Sequence, residues 1–124
     1  MEKVFNKLVR DNIPDIIEKN NEVAVTRILE GKEYLKELYK KLHEECNEVE
    51  MAKNKEEITM ELADVYEVLL AVMLYNDIKL EEVEASALIK RNKRGGFSKR
   101  IYLEKTYDYG TVEEKLREEG KRHV

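Results

Sequence analysis

Chain-breaking residues are scarce in this sequence of 124 residues, which contains a single proline, Pro14, and only five glycines. Because glycine and proline disfavour helix interiors, while the abundant glutamate, lysine and leucine favour them, this scarcity predicts long helices. Charged residues form 40% of the chain and apolar residues 42%, so the composition is that of a folded protein rather than a disordered one. The length suits one domain with one hydrophobic core.

Three segments repeat their apolar residues at helical spacing, which predicts helices over about residues 33–53, 55–76 and 80–94. Gly95 and Gly96 are expected to end the third helix, because glycine readily adopts the left-handed conformation that terminates helices. Cys46, the only cysteine, falls on the apolar stripe of the first helix and is expected in the core. A single cysteine excludes an intrachain disulfide and a cysteine-based zinc site.

The segment before these helices is predicted to be an N-terminal arm followed by a short helix, which Asn12 would cap and Pro14 would open. Its buried side is expected to comprise Leu8, Val9, Ile13, Ile16 and Ile17. Residues 23–29 are β-branched and short, so they predict either an edge strand or an extended connector. We therefore predict an all-α fold, a helical bundle of the four-helix type with a short N-terminal arm.

Charge is segregated along the chain although the net charge is only −4. Residues 44–84 contain thirteen acidic and three basic residues, whereas residues 90–105 contain seven basic and one acidic. The acidic balance overall argues against a general nucleic-acid coat protein and predicts no nucleic-acid partner. An acidic middle followed by a basic patch could hold a cation and an anion together, such as a metal ion and a phosphate.

Two short acidic patterns lie on neighbouring predicted helices. Glu44, Glu45 and Glu48 are on the first, and Glu61 and Asp64 are on the second, with twelve residues between Glu48 and Glu61. That interval accommodates a helix end, a turn and a new helix start. The two groups can therefore face each other across an antiparallel pair.

Glu61 occupies an unusual position for a carboxylate, because Val65 and Val68 lie within about 40° of it at 100° per residue. An ionised carboxylate on an apolar stripe is costly unless it is paired. One alternative is a salt bridge from Glu61 to a lysine or arginine, and another is a solvated acidic face. The convergence of four carboxylates favours a site for a hard divalent cation, Mg²⁺ first and Mn²⁺ second.

The spacing of these carboxylates resembles the metal-binding signature of the all-α nucleoside triphosphate pyrophosphohydrolases, the MazG-like and phosphoribosyl-ATP pyrophosphohydrolase-like proteins. The segments NKLVRDNIPDII at residues 6–17 and KRNKRGGF at residues 90–97 resemble one branch of the same superfamily. The resemblance covers residues 4–105. We accordingly predict a pyrophosphohydrolase domain over residues 1–107, followed by a charged tail or small helix over residues 108–124.

The resemblance implies that Glu45, Glu48, Glu61 and Asp64 bind Mg²⁺ and that Glu44 or Glu45 acts as the general base. The residues expected to bind the substrate are Lys7, Arg10, Lys90, Lys93 and Arg94. Lys7 and Arg10 rest on the resemblance alone, and their alternative role is in surface salt bridges. The basic residues that end the third helix could merely complement its dipole.

The implied activity is hydrolysis of the α–β phosphoanhydride bond of a nucleoside triphosphate, with a role in cleaning the nucleotide pool. A phosphoribosyl-ATP pyrophosphohydrolase of histidine biosynthesis remains an alternative, as does a non-enzymatic helical interaction module. Apolar surface on the second helix predicts a homodimer or higher homo-oligomer. The sequence contains no stretch of the length of a membrane span and nothing like a signal peptide, so we expect no membrane partner and a cytoplasmic location.

Overall fold

The structure, a computed structural model, describes residues 1–122, and within that range it contains five helices and no strand. The helices are α1 (Ile13–Lys19), α2 (Gly31–Met51), α3 (Lys55–Tyr75), α4 (Leu80–Arg94) and α5 (Tyr109–Arg122). The predicted all-α class is confirmed, and the three long helices begin and end within two residues of their predicted bounds. Residues 23–29 form an extended connector, so the edge-strand alternative is wrong. No helix in the described range is both long and apolar enough to cross a membrane.

Contacts divide the chain into two compact units, one that ends at Leu88 and one that begins at Ile89. In the first unit, α2 and α3 pack against each other. They run antiparallel, because Tyr34 at the start of α2 meets Tyr75 at the end of α3. The two ring centroids are 5.6 Å apart and the rings meet edge to face at 66°. The predicted domain boundary after residue 107 stays a prediction.

The start of α3 is fixed by two local hydrogen bonds that explain the sharp turn after α2. The side chain of Asn54 accepts a hydrogen bond from the backbone N–H of Glu57 at 2.9 Å. The carboxylate of Glu57 accepts one from the backbone N–H of Lys53 at 2.8 Å. The first bond satisfies an N–H group that the first turn of a helix leaves without a partner, and the second ties the residue before the N-cap to that turn. Asn12 lies at the N-cap of α1 as predicted, but its side chain forms no capping hydrogen bond.

In the second unit, α4 ends at Arg94 and Gly95 follows with a φ of +82°, as the glycine pair predicted. At the start of α5, Asp108 accepts a hydrogen bond from the backbone N–H of Thr111 at 2.8 Å, which lowers the pKa of Asp108. The helix alternative for residues 108–124 is thus the one observed over the described part. Residues 123 and 124 lie outside the described residues.

Few side chains are fully buried in the described chain, and only Leu38 of α2 and Val68 of α3 form its apolar core. Two expectations from periodicity are therefore wrong. Cys46 is exposed although it lies on the apolar stripe of α2, because α3 covers only part of that stripe. The apolar side of the arm and α1 is at most half-buried, and Ile16 is exposed.

We expect Asn54→Ala to lower the free energy of unfolding by about 1 kcal/mol, because the first turn of α3 loses its capping acceptor. Asn54→Asp should keep most of the stability, since aspartate caps as well as asparagine does. Asn47→Ala is the control, because Asn47 is exposed within α2 and alanine favours a helix interior. Urea unfolding of the three variants measures the effect. Equal midpoints for Asn54→Ala and Asn47→Ala would contradict it.

Candidate metal centre

The antiparallel packing of α2 against α3 brings three carboxylates into one group. Glu45 lies on α2 and is buried, whereas Glu61 and Asp64 lie one turn apart on α3 and are half-buried. One carboxylate oxygen from each of these three residues lies within 4.8 Å of the other two. Three of the four carboxylates predicted from sequence therefore meet, on the two helices and in the antiparallel arrangement predicted for them.

Two members of this carboxylate triad, Glu45 and Asp64, each have a cation of the chain beside them. The Lys41 Nζ atom is 3.4 Å from an oxygen of Glu45, and the Arg10 Nη2 atom is 2.6 Å from an oxygen of Asp64. Glu61 forms no ion pair with any residue in the described range. The salt-bridge alternative for Glu61 is thus absent from the described structure.

The surroundings of Glu61 penalise its negative charge. Partial burial raises the pKa of the Glu61 carboxyl above its ordinary value, and the charges of Asp64, Glu48 and Glu45 raise it further. The three neighbouring carboxylates raise the Glu61 pKa because they repel its negative charge. A divalent cation among these oxygens would remove both penalties.

The other two predicted acidic residues lie at the edge of this group. Glu48 is exposed and is not one of the three residues whose oxygens meet, although its charge acts on Glu61. Glu44 is half-buried and also lies near Lys41, whose Nζ atom is 3.6 Å from the Glu44 carboxylate. Lys41 thus stands beside both of the residues predicted as candidates for the general base.

The donor set of the triad suits a hard divalent cation. Carboxylate oxygens are the ligands that Mg²⁺ and Mn²⁺ prefer. Around Mg²⁺, neighbouring oxygens are about 3 Å apart and opposite ones about 4.2 Å apart, so oxygens that already lie within 4.8 Å of one another are close enough to converge on one ion. The three residues therefore fit a hard divalent metal ion.

The predicted substrate-binding residues are distributed over both units. Arg10 lies against the triad through Asp64, whereas Lys7 is exposed, with its Nζ atom 5.7 Å from the ring centroid of Phe5. Lys90, Lys93 and Arg94 are exposed on the last turns of α4, in the unit that begins at Ile89. None of these three forms an ion pair within the described part of the chain.

Sequence reasoning missed Lys41, although a signal was present. Lys41 lies four residues before Glu45, which is the spacing at which opposite charges meet on a helix. Reasoning from sequence also placed Arg10 on the substrate rather than on a predicted metal ligand. No local pattern could have found that contact, because Arg10 and Asp64 are 54 positions apart.

Residues 15–92 match the family model described as phosphoribosyl-ATP pyrophosphohydrolase. The matched range contains all of α2 and α3 and every acidic residue predicted for the site, but it excludes Lys7, Arg10, Lys93 and Arg94. A search of curated proteins and a search of solved structures each found no match.

We expect Glu61→Gln to stabilise the metal-free protein at neutral pH. A carboxyl whose pKa is raised by folding leaves the native state holding more protons than the unfolded state, so stability falls as pH rises through that pKa. Glutamine carries no charge and so avoids the free-energy cost of the ionised Glu61 carboxylate. Its higher free energy of unfolding should disappear below the ordinary pKa of glutamate, where Glu61 is protonated in both the folded and the unfolded state. Urea unfolding in the presence of EDTA, from pH 4 to pH 8, measures the difference.

Glu67→Gln is the matched control, because Glu67 is an exposed glutamate on another face of α3. Its stability relative to the unsubstituted chain should not depend on pH in this way. A constant difference between Glu61→Gln and Glu67→Gln over the whole pH range would contradict the proposed electrostatic origin.

Proposed function

Because the chain belongs to the phosphoribosyl-ATP pyrophosphohydrolase family, we propose that it is a Mg²⁺-dependent hydrolase of nucleotide triphosphate groups. The products are the nucleoside monophosphate and pyrophosphate, from cleavage of the bond between the α- and β-phosphates. The observation that carries this proposal is the group formed by Glu45, Glu61 and Asp64, which lies wholly within the matched range. Those three residues would hold the ion, with Glu48 as the fourth ligand.

In this proposal, some of the acidic residues bind the metal ion and another accepts a proton. When bound, Mg²⁺ (or Mn²⁺) supplies Lewis-acid neutralisation of the triphosphate charge. A carboxylate outside the ligand set can accept the proton of the attacking water. The two candidates for this general base are Glu44 and Glu45. Only Glu44 is not also a proposed metal ligand.

The basic residues supply the complementary charge for the substrate. Arg10 has the strongest support among them, because it lies beside the triad and a guanidinium can hold a phosphate through two hydrogen bonds. Lys7, Lys90, Lys93 and Arg94 are proposed on their charge and on the motif in which they occur. We propose no nucleic-acid or membrane partner.

Two substrate classes remain for the same chemistry. The opening motif at residues 6–17 favours a non-canonical or surplus nucleoside triphosphate, removed to clean the nucleotide pool. The description of the matching family favours phosphoribosyl-ATP instead. Both substrates carry a 5′-triphosphate, so the carboxylate site serves either, and the groups that contact the base decide between them.

We expect pyrophosphate release from one nucleotide class only when Mg²⁺ is present, in a panel that includes phosphoribosyl-ATP, the common triphosphates and deaminated or oxidised ones. Glu61→Gln should lower kcat about a hundredfold or more, because the loss of a metal ligand costs several kcal/mol of transition-state stabilisation. Glu67→Gln should keep the original rate. Full activity of Glu61→Gln would contradict the metal site. The absence of both release and Mg²⁺ binding would favour the helical interaction module.

We also propose that a second copy of the chain covers α3. Four apolar side chains, spaced at four, three and four residues, form a stripe on this helix, on a different face from Glu61 and Asp64. They are Leu62, Tyr66, Leu69 and Met73, of which the first three are exposed and the last is half-buried. An apolar stripe of this length on an isolated chain typically marks a protein interface.

We expect light scattering to give a homodimer or a higher oligomer at micromolar concentration, and Leu62→Lys to shift it toward the monomer. Leu62 is 52% exposed in the single chain, so a lysine there costs little unless another copy covers it. Leu116→Lys, at an exposed leucine of α5 outside the matched range, is the control and should remain associated. A monomeric unsubstituted chain at this concentration would contradict the interface.

A further inference from the structure

The contact between Arg10 and Asp64 joins the N-terminal arm to the carboxylate triad. The Arg10 Nη2 atom donates a hydrogen bond of 2.6 Å to Asp64. The backbone of Arg10 is held as well, because its carbonyl accepts a hydrogen bond of 3.1 Å from the N–H of Ile13 at the start of α1. A positive charge of the chain thus lies on the carboxylate of Asp64, one of the three residues to which the proposed function assigns a metal ion.

We propose that Arg10 is a built-in competitor for the metal site, which a divalent cation must displace from Asp64 in order to bind. The inference rests on the proposed function, because it requires that the triad bind a metal ion. Displacement leaves the guanidinium beside the site without its carboxylate partner. Arg10 can then bind a phosphate group, which is the role that the motif at residues 6–17 implies for it.

The exposure of the contact determines how strongly Arg10 competes. The side chains of Arg10 and Asp64 are 55% and 38% exposed, and ion pairs in contact with water are weak. Arg10 therefore reduces the metal affinity severalfold and does not block the site.

Lys41, the other cation beside the triad, differs from Arg10 in how the chain holds it there. Lys41 and Glu45 lie four residues apart on α2, so the helix itself keeps them close. Arg10 is 54 positions from Asp64 and precedes the first helix. Its side chain can leave Asp64 by rotation about its own bonds, without a change in α2 or α3.

Linkage makes the two events reciprocal. If Arg10 weakens metal binding by some factor, the metal weakens the contact of the arm with Asp64 by the same factor. The factor obtained from metal affinities must therefore equal the factor obtained from the contact of Arg10 with Asp64. Both can be made without substrate.

The affinity test uses Mn²⁺ alone, with free Mn²⁺ measured by electron paramagnetic resonance. We expect Arg10→Ala to bind Mn²⁺ about two- to fivefold more tightly than the unsubstituted chain. Arg27→Ala is the matched control, because Arg27 also forms an exposed ion pair with a glutamate, Glu33, at 2.7 Å. It removes the same charge, and its affinity should not change.

The second test needs no substitution and follows the Arg10 side-chain signal by NMR during a titration with Mg²⁺. We expect this signal to move together with the backbone amide signals of Glu61 and Asp64. Pyrophosphate added after Mg²⁺ should then move the Arg10 signal again. Movement of the Glu61 and Asp64 signals with no change at Arg10 would overturn the inference.

The outcomes separate this inference from the proposed function. Equal or weaker Mn²⁺ affinity of Arg10→Ala, in a chain that does bind Mn²⁺, would overturn the competition and leave the metal site intact. If Arg10→Ala and Arg27→Ala raised the Mn²⁺ affinity equally, the cause would be the change in net charge. That result would also overturn the competition by Arg10. No Mn²⁺ binding by either the unsubstituted chain or Arg10→Ala would overturn the metal site and the inference together.

Discussion

The packing of α2 against α3 holds negative charges together, and the rest of the site follows from that constraint. A carboxylate from α2 and two from α3 lie within 4.8 Å of one another, although like charges at such distances repel. Apolar contacts between the two helices, centred on Leu38 and Val68, oppose this repulsion. The helix pair therefore stores an electrostatic cost that a bound cation would relieve. The cost is expressed in the raised pKa of Glu61.

The small core makes this cost significant for the stability of the chain. Folded domains are stable by only about 5–15 kcal/mol, and this one has few fully buried apolar side chains in its described range. The hydrogen bonds of Asn54 and Glu57 at the start of α3, at about 1 kcal/mol each, are then a sizeable fraction of the total. A second copy against α3 and a cation in the triad would each add stability by binding only the folded state.

The parts of the fold that could be predicted from sequence are those set by local chemistry. The bounds of α3 follow from a capping asparagine and helical periodicity, and the pairing of Glu61 with Asp64 follows from their spacing. Periodicity failed for Cys46, because it identifies a stripe but not the part that a neighbouring helix covers. The contact between Arg10 and Asp64 depends on the path of the whole arm, whereas that of Lys41 with Glu45 is a local pair four residues apart on α2.

The distribution of cations around the triad is the observation that best separates a metal site from a structural acidic cluster. A chain that needed only to neutralise these carboxylates could place a lysine or arginine beside each of them, and it does so for Glu45 and Asp64. Glu61, which lies among the valines of α3, has no such partner within the described residues. An apolar side chain at this position would fold more stably, since burying an unpaired charge is costly. An unpaired carboxylate beside two paired ones leaves a negative charge that an external cation would neutralise. In the proposed competition, Arg10 is the cation of the chain that such an ion would replace.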